Sequence, residues 1–252
     1  MAAGRAPAID VSVILPTYNE KDNIEPLIRA VLQNTPSRTE VIIVDDDSPD
    51  ATWRIVERLS KKSKNIRLLR RTKERGLTSA LRDGIRLSRG RVCVWMDCDL
   101  SMPPEKIPEL LAKVQKGHDL AVGSRYLRGG GVEIISGGPD SLSAFLFSLF
   151  LNRYLRFLLG SWFTDWTSGF IAVRREVLEH ISLRGGYGDY FIDLVYRARR
   201  MGYRLTEIPY LCRARRAGTG KTFVNVLDFL KKGWRYIILP LRLRLSKVKK
   251  AV

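Results

Sequence analysis

Residues 40–47 read Glu40-Val41-Ile42-Ile43-Val44-Asp45-Asp46-Asp47, four β-branched apolar residues running straight into three aspartates. The apolar run is continuous rather than alternating, which is how a strand buried on both faces reads. Carboxylates cannot follow such a strand into the interior without a partner, so the strand ends at Asp45. The same pattern recurs at Arg91 to Met96, which stops at Asp97-Cys98-Asp99.

Outward from these two stretches the hydrophobic period switches repeatedly. Val11 to Leu15 is a short β-rich run ended by Pro16. Ile24, Leu27, Ile28, Val31 and Leu32 then recur at helical spacing, with Asn19 available as a cap. Asp50 stands ready to cap a helix whose apolar face includes Trp53, Val56 and Leu59. Ile66 to Leu69 makes a third strand, followed by a helix through Leu77, Leu81, Ile85 and Leu87. Ile107, Leu110, Leu111 and Val114 mark another helix, and Asp119 to Val122 a fifth strand. Strands alternating with helices predict an α/β fold over residues 11–125, a mostly parallel sheet with helices on both faces.

The second half is less regular. It predicts an apolar, aromatic helix from Leu142 to Leu159, a strand from Thr167 to Val173 and a helix from Phe191 to Met201. A strand at Leu205 to Tyr210 and an amphipathic helix from Thr222 to Leu239 complete it. Two readings stand for the helices at 142–159 and 222–239: elements lying in a membrane interface, or ordinary core-facing helices. The expected organisation is a tail at 1–10, one α/β domain at 11–221, and a basic, amphipathic, membrane-associating segment at 222–252.

Composition narrows the class. With 252 residues, 45% hydrophobic and 28% charged, the chain builds a sizeable core, which excludes disordered, collagen-like and coiled-coil classes. The net charge is +18, and it is unevenly placed: from Arg197 onward 16 Lys and Arg face two acids, a surplus of 14. A near-neutral body with a basic end points to phosphates, nucleic acid or an anionic membrane surface. Cys93, Cys98 and Cys212 show no metal-ligand spacing and read as reduced thiols. The first ten residues lack the apolar stretch of a signal peptide. No uncharged apolar run reaches 18 residues, so the chain is not expected to span a membrane by itself.

Chemistry concentrates at the strand ends. Open parallel sheets bind ligands at the carboxyl edge, and both aspartate clusters fall there. Two carboxylates spaced i, i+2 suit a hard divalent ion whose shell is completed by substrate phosphates. The competing reading is that such aspartates only start turns. No G-x-G-x-x-G follows the first strand, which disfavours a dinucleotide oxidoreductase. Gly218-Thr219-Gly220-Lys221 lacks the spacing and strand context of a P-loop. His118 and His180 stand alone, so no histidine-based nucleophilic constellation can be assembled.

These motifs resemble glycosyltransferase family 2, of GT-A (Rossmann-like) fold. The stretches that carry the resemblance are Val13-Ile14-Leu15-Pro16-Thr17-Tyr18-Asn19-Glu20, Val44-Asp45-Asp46-Asp47-Ser48-Pro49-Asp50 and Asp97-Cys98-Asp99-Leu100. Gly123-Ser124-Arg125-Tyr126, Gly129-Gly130-Gly131-Val132 and Thr167-Ser168-Gly169-Phe170 narrow it to the dolichyl-phosphate (polyprenyl-phosphate) mannosyltransferases. Arg197-Ala198-Arg199, Gly202-Tyr203, Ile208-Pro209, Arg215, Gly218 and Lys221 extend it to about residue 235.

The resemblance implies a role for each matching position. Pro16, Tyr18, Glu20, Val44 and Asp46 hold the nucleoside of a sugar nucleotide. Asp97, Cys98 and Asp99 meet the diphosphate, with Asp97, Asp99 and Ser101 on the side of a Mg²⁺ or Mn²⁺ ion. Arg215 and Lys221 belong to a late loop that closes over the donor phosphates, although a merely solvated basic loop reads the same way. Asp99 and Arg215 carry the catalytic role. Arg125 and Ser143 face the acceptor phosphate. The chain departs from the family at Pro139, where an arginine usually assists the acceptor, so that contact rests on Arg125 with help from Arg128 or Arg153.

The implied reaction passes mannose from GDP-mannose to a dolichyl or polyprenyl phosphate, with inversion, by a peripheral enzyme on the cytoplasmic face of a membrane. A small membrane-protein partner belongs to some members. A phosphate monoester is already largely ionised near neutral pH, with a second pKa of about 6, so the missing catalytic histidine is expected. UDP-glucose as donor is the alternative inside the enzyme class. A nucleic-acid-binding protein is the alternative outside it, disfavoured because the tail's aromatics, Phe223, Phe229, Trp234 and Tyr236, read as a buried or membrane face rather than a stacking platform.

Overall fold

Val13 and Leu15 turn to one side of a strand and Ile14 to the other, and all three are fully buried. That is the two-residue period of a sheet covered on both faces. The computed structural model describes residues 10–133, 139–214 and 226–246, the side chains of 139–144 and 226–232 apart. Seven strands form the central sheet in the order β3-β2-β1-β4-β7-β5-β8. They are β1 (Val11–Thr17), β2 (Thr39–Asp45), β3 (Ile66–Arg70), β4 (Val92–Trp95), β5 (Leu120–Ser124), β7 (Ile171–Arg174) and β8 (Leu205–Pro209). A two-stranded ribbon pairs β6 (Gly131–Val132) with β9 (Leu211–Cys212). Only β7 runs against its neighbours, β4 and β5, so the sheet is mostly parallel.

Helices cover both faces. On one side α1 (Ile24–Gln33), α2 (Thr52–Lys62) and α4 (Ile107–Gln115) pack on Val13, Leu15, Val41, Ile43 and Val94. On the other, α3 (Leu77–Leu87), α5 (Pro139–Leu159), α6 (Arg175–His180), α7 (Asp189–Met201) and α8 (Val226–Leu245) pack on Ile14, Ile42, Val44 and Trp95. The basic C-terminal segment thus contributes a packed helix: α8 lies against α5 and α7 and buries Leu243 in the shared core.

Several local expectations change. Pro16 does not end β1, because β1 continues beside β2 through the register Pro16↔Val44 and Thr17↔Asp45. Asn19 does not cap α1; it takes a left-handed φ of 56° and gives its N–H to Ser48 Oγ, while Asn23 precedes the helix. Asp50 accepts the Thr52 N–H and hydroxyl but stands one residue before the N-cap position of α2, which is the left-handed Ala51. Trp53 is not core: the Arg70 guanidinium lies 3.7 Å above its ring. The strand expected from Thr167 is confined to Ile171–Arg174. Of α5, Leu151, Leu155 and Leu159 are buried while Leu146, Phe150 and Phe157 are exposed, so one face is core-facing and the other bare.

The amino end of the sheet is tied by a buried hub. Ser12 Oγ donates to Glu40, and Arg67 and the Arg89 N–H also donate to that carboxylate. Burial alone raises its pKa, but those hydrogen bonds outweigh it and hold Glu40 below the ordinary carboxylate range. Gly90 closes the hub, its N–H donating to Ser12 Oγ. A Cβ there would sit 2.5 Å from the Ser12 backbone nitrogen. Gly90→Ala is therefore expected to destabilise the fold by about 1–3 kcal/mol, the usual cost of overpacking against backbone. A urea melt checks this, and an unchanged midpoint would show that the turn yields freely.

Candidate active site

Strand β1 lies between β2 and β4, which is where the strand order reverses, and such a crevice is the usual ligand site of an open α/β sheet. A cleft of about 380 Å³ opens there. Pro16, Tyr18 and Glu20 supply one wall from the end of β1, and Asp46 the next from the end of β2. Asp97, Cys98 and Asp99 follow β4. Arg75, Gly76 and Leu77 enter from the β3–α3 connection, and Gly186 with Tyr187 from the loop before α7.

The first aspartate cluster divides its labour. Asp45 is buried and accepts from the Thr17 hydroxyl, the Ser48 N–H and the Ser48 hydroxyl, so it is the turn-forming member. Asp47 takes a left-handed φ of 54° and pairs with Arg70. Asp46 alone reaches the cleft. Its Oδ1 accepts Arg71 Nε and its Oδ2 the Gly76 N–H, each at 2.7 Å. Arg71 is itself buried and also donates to Ser79, Asp83 and the Gly76 carbonyl. A buried carboxylate and a buried guanidinium thereby satisfy one another and pin the loop that carries Arg75 and Gly76.

The second cluster is built differently. Asp99 is buried, accepts the Ser101 N–H at 3.0 Å and is followed by Leu100 in a left-handed φ of 65°. Asp97 is exposed at the same edge. Between them Cys98 turns inward and its thiol donates to the Pro16 carbonyl, fastening the β4 turn to β1. Two hard carboxylates on one turn fit a Mg²⁺ or Mn²⁺ ion that takes its remaining oxygens from a substrate's phosphates and water. Among the described residues no group of three or more His, Cys, Asp or Glu side chains forms a self-sufficient metal cage. Beneath this turn Tyr190 accepts the Trp95 Nε1–H, and burial together with nearby Asp97 holds its phenol strongly protonated.

Across the turn lies a second polar assembly. Arg125, next after β5, donates from Nε and Nη2 to the two oxygens of the fully buried Asp165, and from Nη2 to Thr167. Burial opposes the charge of Arg125, but Asp165 outweighs it and keeps the guanidinium's pKa well above its ordinary value. Glu207 of β8 accepts the N–H groups of Thr164 and Asp165 and the Thr164 hydroxyl, which fixes the loop that carries Asp165. Burial pushes the Glu207 carboxyl up against those hydrogen bonds. Burial raises the pKa of Cys212 in β9, with Arg125 opposing the rise and Asp99 and Asp97 adding to it.

The family model for glycosyl transferase family 2 matches residues 12–182. The chain belongs to glycosyl transferase family 2. Among its relatives are a dolichol-phosphate mannosyltransferase of Pyrococcus furiosus, 37% identical over 84% of the chain, and a polyprenol monophosphomannose synthase of Mycolicibacterium smegmatis, 39% identical over 83%. An undecaprenyl-phosphate mannosyltransferase of Micrococcus luteus is 35% identical over 84%. The chain spans 58% of the length of the first of these, 79% of the second and 86% of the third. The fold is similar to that of glucosyl-3-phosphoglycerate synthase from Mycobacterium tuberculosis in complex with Mn²⁺, UDP and glucosyl-3-phosphoglycerate. There the TM-score is 0.65 at 22% identity, covering 93% of this chain and 79% of that one. The α/β sheet described above is thus a GT-A-like fold.

In this family 2 glycosyltransferase, six of the positions singled out in the sequence come together in the cleft besides Asp46: Pro16, Tyr18, Glu20, Asp97, Cys98 and Asp99. Val44 lies behind it, fully buried in β2. Ser101 is not part of the cleft lining; its N–H serves Asp99 and its carbonyl accepts the Arg213 N–H. Arg125 stands apart in the grip of Asp165. Pro139 begins α5 and Ser143 lies within it, and the Ser143 side chain falls outside the described residues, as do Arg215 and Lys221 entirely. The sequence reading missed Arg71, Arg75, Asp165 and Glu207. Arg71 was within reach, since a cation straight after the strand that neighbours a carboxylate-ended strand has that carboxylate beside it.

Proposed function

We propose that this glycosyltransferase moves mannose from GDP-mannose to the phosphate of a dolichyl or polyprenyl phosphate, inverting the anomeric centre and releasing GDP. One observation carries the reading: the three relatives above are named for mannose and a dolichol, polyprenol or undecaprenyl phosphate, and each aligns with more than four-fifths of this chain. The nucleoside lies along Pro16, Tyr18, Glu20 and Asp46, and the diphosphate by Asp97 and Asp99. Bound there, Mg²⁺ or Mn²⁺ neutralises charge on the leaving diphosphate. Asp97 and Asp99 hold that ion, Ser101 secures Asp99 through its backbone, and Arg215 and Lys221 supply positive charge for the phosphates. Arg125, with Ser143, receives the acceptor phosphate, whose ionised oxygen needs no strong base. The chain's main work is holding two anions in line for attack.

A polyprenyl acceptor stays in the bilayer, so the transferase works as a peripheral protein at the cytoplasmic membrane face. Among the described residues no helix is long and apolar enough to cross a membrane. Leu146, Phe150 and Phe157 of α5, and Trp234, Ile237 and Leu241 of α8, are exposed on two helices that pack together. Such surface is what an interfacial helix submerges. Exposed Arg153, Arg156, Arg235 and Arg242 add about 1 kcal/mol each on an anionic leaflet. The 222–252 segment serves as the membrane-associating unit, and the same face would receive a small membrane-protein partner.

The test is transfer from radiolabelled GDP-mannose to a short polyprenyl phosphate in anionic vesicles, with Mn²⁺ or Mg²⁺ and again with EDTA, and UDP-glucose in parallel. Metal-dependent mannolipid is the expected product. Product from UDP-glucose alone would replace the donor, and none from either would overturn the acceptor class.

A further inference from the structure

Two glycines of the loop before α7 touch α8, and the residue between them lines the cleft. The loop reads Arg184-Gly185-Gly186-Tyr187-Gly188-Asp189, and Gly186 with Tyr187 forms the cleft wall that belongs to neither aspartate cluster. A Cβ added to Gly186 would collide with a guanidinium nitrogen of Arg235, and one added to Gly188 would come within 2.6 Å of the Tyr236 hydroxyl. Both partners stand on α8.

We propose that Tyr236, with Arg235, is a positioning residue for the donor nucleotide: α8 seats the 185–188 loop so that Tyr187 completes its wall of the cleft. This rests on the nucleotide-sugar donor of the proposed function and goes beyond it, since it makes the C-terminal helix part of the donor site as well as of the membrane face.

The loop's own bonds fix it from one side. Gly185 takes a φ of 122°, which favours glycine, and Asp189 Oδ1 accepts the Gly186 and Tyr187 N–H groups at 3.0 and 2.8 Å. The Tyr187 carbonyl accepts the Thr78 hydroxyl of α3. Arg235 and Tyr236 then lie against the two glycines. Gly188 has a φ of −69°, a backbone that any residue adopts, so the demand for glycine at 188 comes from the Tyr236 contact and not from the chain's shape.

The contact continues to the Asp97 turn. Burial pushes the Tyr236 phenol up, with Asp189 and Tyr187 adding to the rise and the Gly188 backbone opposing it. Asp97, Tyr236 and Tyr187 in turn help keep the Tyr190 phenol protonated. A cluster of three tyrosines thus links α8 to the turn that carries Asp97. Among the described side chains of α8 only Pro240 and Leu243 are buried, both beyond Tyr236, so loss of the Tyr236 hydroxyl leaves the helix seated.

The experiment is calorimetric binding of GDP and UDP, with Mn²⁺, to the full chain and to its Gly188→Ala, Tyr236→Phe and double variants, with melting temperatures measured alongside. Gly188→Ala should weaken nucleotide binding about tenfold, within the range of couplings between residues in contact. Tyr236→Phe keeps the ring and should cost less than about threefold. The double variant should return to the Tyr236→Phe level, because the added Cβ then meets the ring 3.6 Å from Cζ, an ordinary contact. Rescue of affinity by a second change on α8 is what a general loss of packing would not produce. A Gly188→Ala variant that melts lower yet binds nucleotide like the wild type would make the contact structural only and overturn the inference. A double variant as weak as Gly188→Ala would put the effect in the loop itself and overturn it too. Preference for UDP, with the rescue read on UDP, would replace the donor of the proposed function while sustaining the inference, and binding of neither nucleotide would overturn both.

Discussion

Asp99→Asn should abolish transfer while leaving the protein folded. The asparagine keeps the shape of the side chain and an oxygen to accept the Ser101 N–H, so the turn after β4 and the left-handed Leu100 persist. What disappears is one negative charge at a buried position facing the cleft. With Asp97 alone remaining on that turn, a divalent ion held as proposed would lose one of its two carboxylates. Among the described residues no third acidic, cysteine or histidine ligand stands ready to replace it. The expected fall in kcat is about a thousandfold or more, the scale on which losing one transition-state stabiliser is felt. Two measurements separate this from misfolding. The melting temperature of the free protein should stay close to that of the wild type. The rise in melting temperature that Mn²⁺ produces with GDP present should vanish, because stabilisation by a ligand follows its occupancy. A variant that keeps a tenth of the activity with the same Mn²⁺ dependence would remove Asp99 from the ion's site.

How far the sequence reaches is visible in the two aspartate clusters. Apolar strands ending in carboxylates are local patterns, and a local pattern places Asp46, Asp97 and Asp99 at one sheet edge before any coordinates exist. The alternative that such aspartates only start turns proves right for Asp45 and fails for Asp46, and the difference is tertiary. Asp45 faces Thr17 and Ser48, whereas Asp46 meets Arg71, 25 residues further along. The same distance effect hides the Arg125–Asp165 pair, 40 residues apart, and the Glu207 that props it. Strand direction is equally silent. Ile171–Arg174 reads as a buried strand, and nothing in four apolar-rich residues says that it runs antiparallel between β4 and β5. Trp53 sits at helical spacing with Val56 and Leu59, yet an arginine from β3 covers its ring outside the core. Periodicity reports which face is apolar; it does not report which neighbour covers that face.

The Arg125–Asp165 pair supplies the second large effect, on stability. Asp165 is fully buried, accepts the backbone N–H and two guanidinium donors of Arg125, and is fed by the Glu207-held loop. Asp165→Ala removes the carboxylate and leaves a guanidinium only 16% exposed without its counter-charge. Breaking a buried pair from one side costs about 3–5 kcal/mol, because the remaining charge is neither solvated nor matched. The single variant should therefore unfold at much lower urea concentration, and a loss below about 1 kcal/mol would mean that water reaches Arg125 freely. Replacing both partners is a different experiment. Arg125→Met with Asp165→Leu takes away both charges, and exchanging a buried ion pair for apolar residues of similar volume is often close to neutral. Thr167 and the Glu207 loop still have Asn152 and Thr164 as partners, so the surrounding network survives. The double variant should recover most of the stability lost by the single one. It should still bind GDP with Mn²⁺, since neither Arg125 nor Asp165 lines the cleft proposed for the nucleotide. If Arg125 receives the acceptor phosphate as proposed, transfer to polyprenyl phosphate should nevertheless be lost, through a raised KM for the acceptor. Normal transfer by a stable double variant would make the pair purely architectural and move the acceptor phosphate elsewhere. A recovered fold with donor binding intact and acceptor use gone would mean that the energy spent burying Arg125 is retained for function, not for stability.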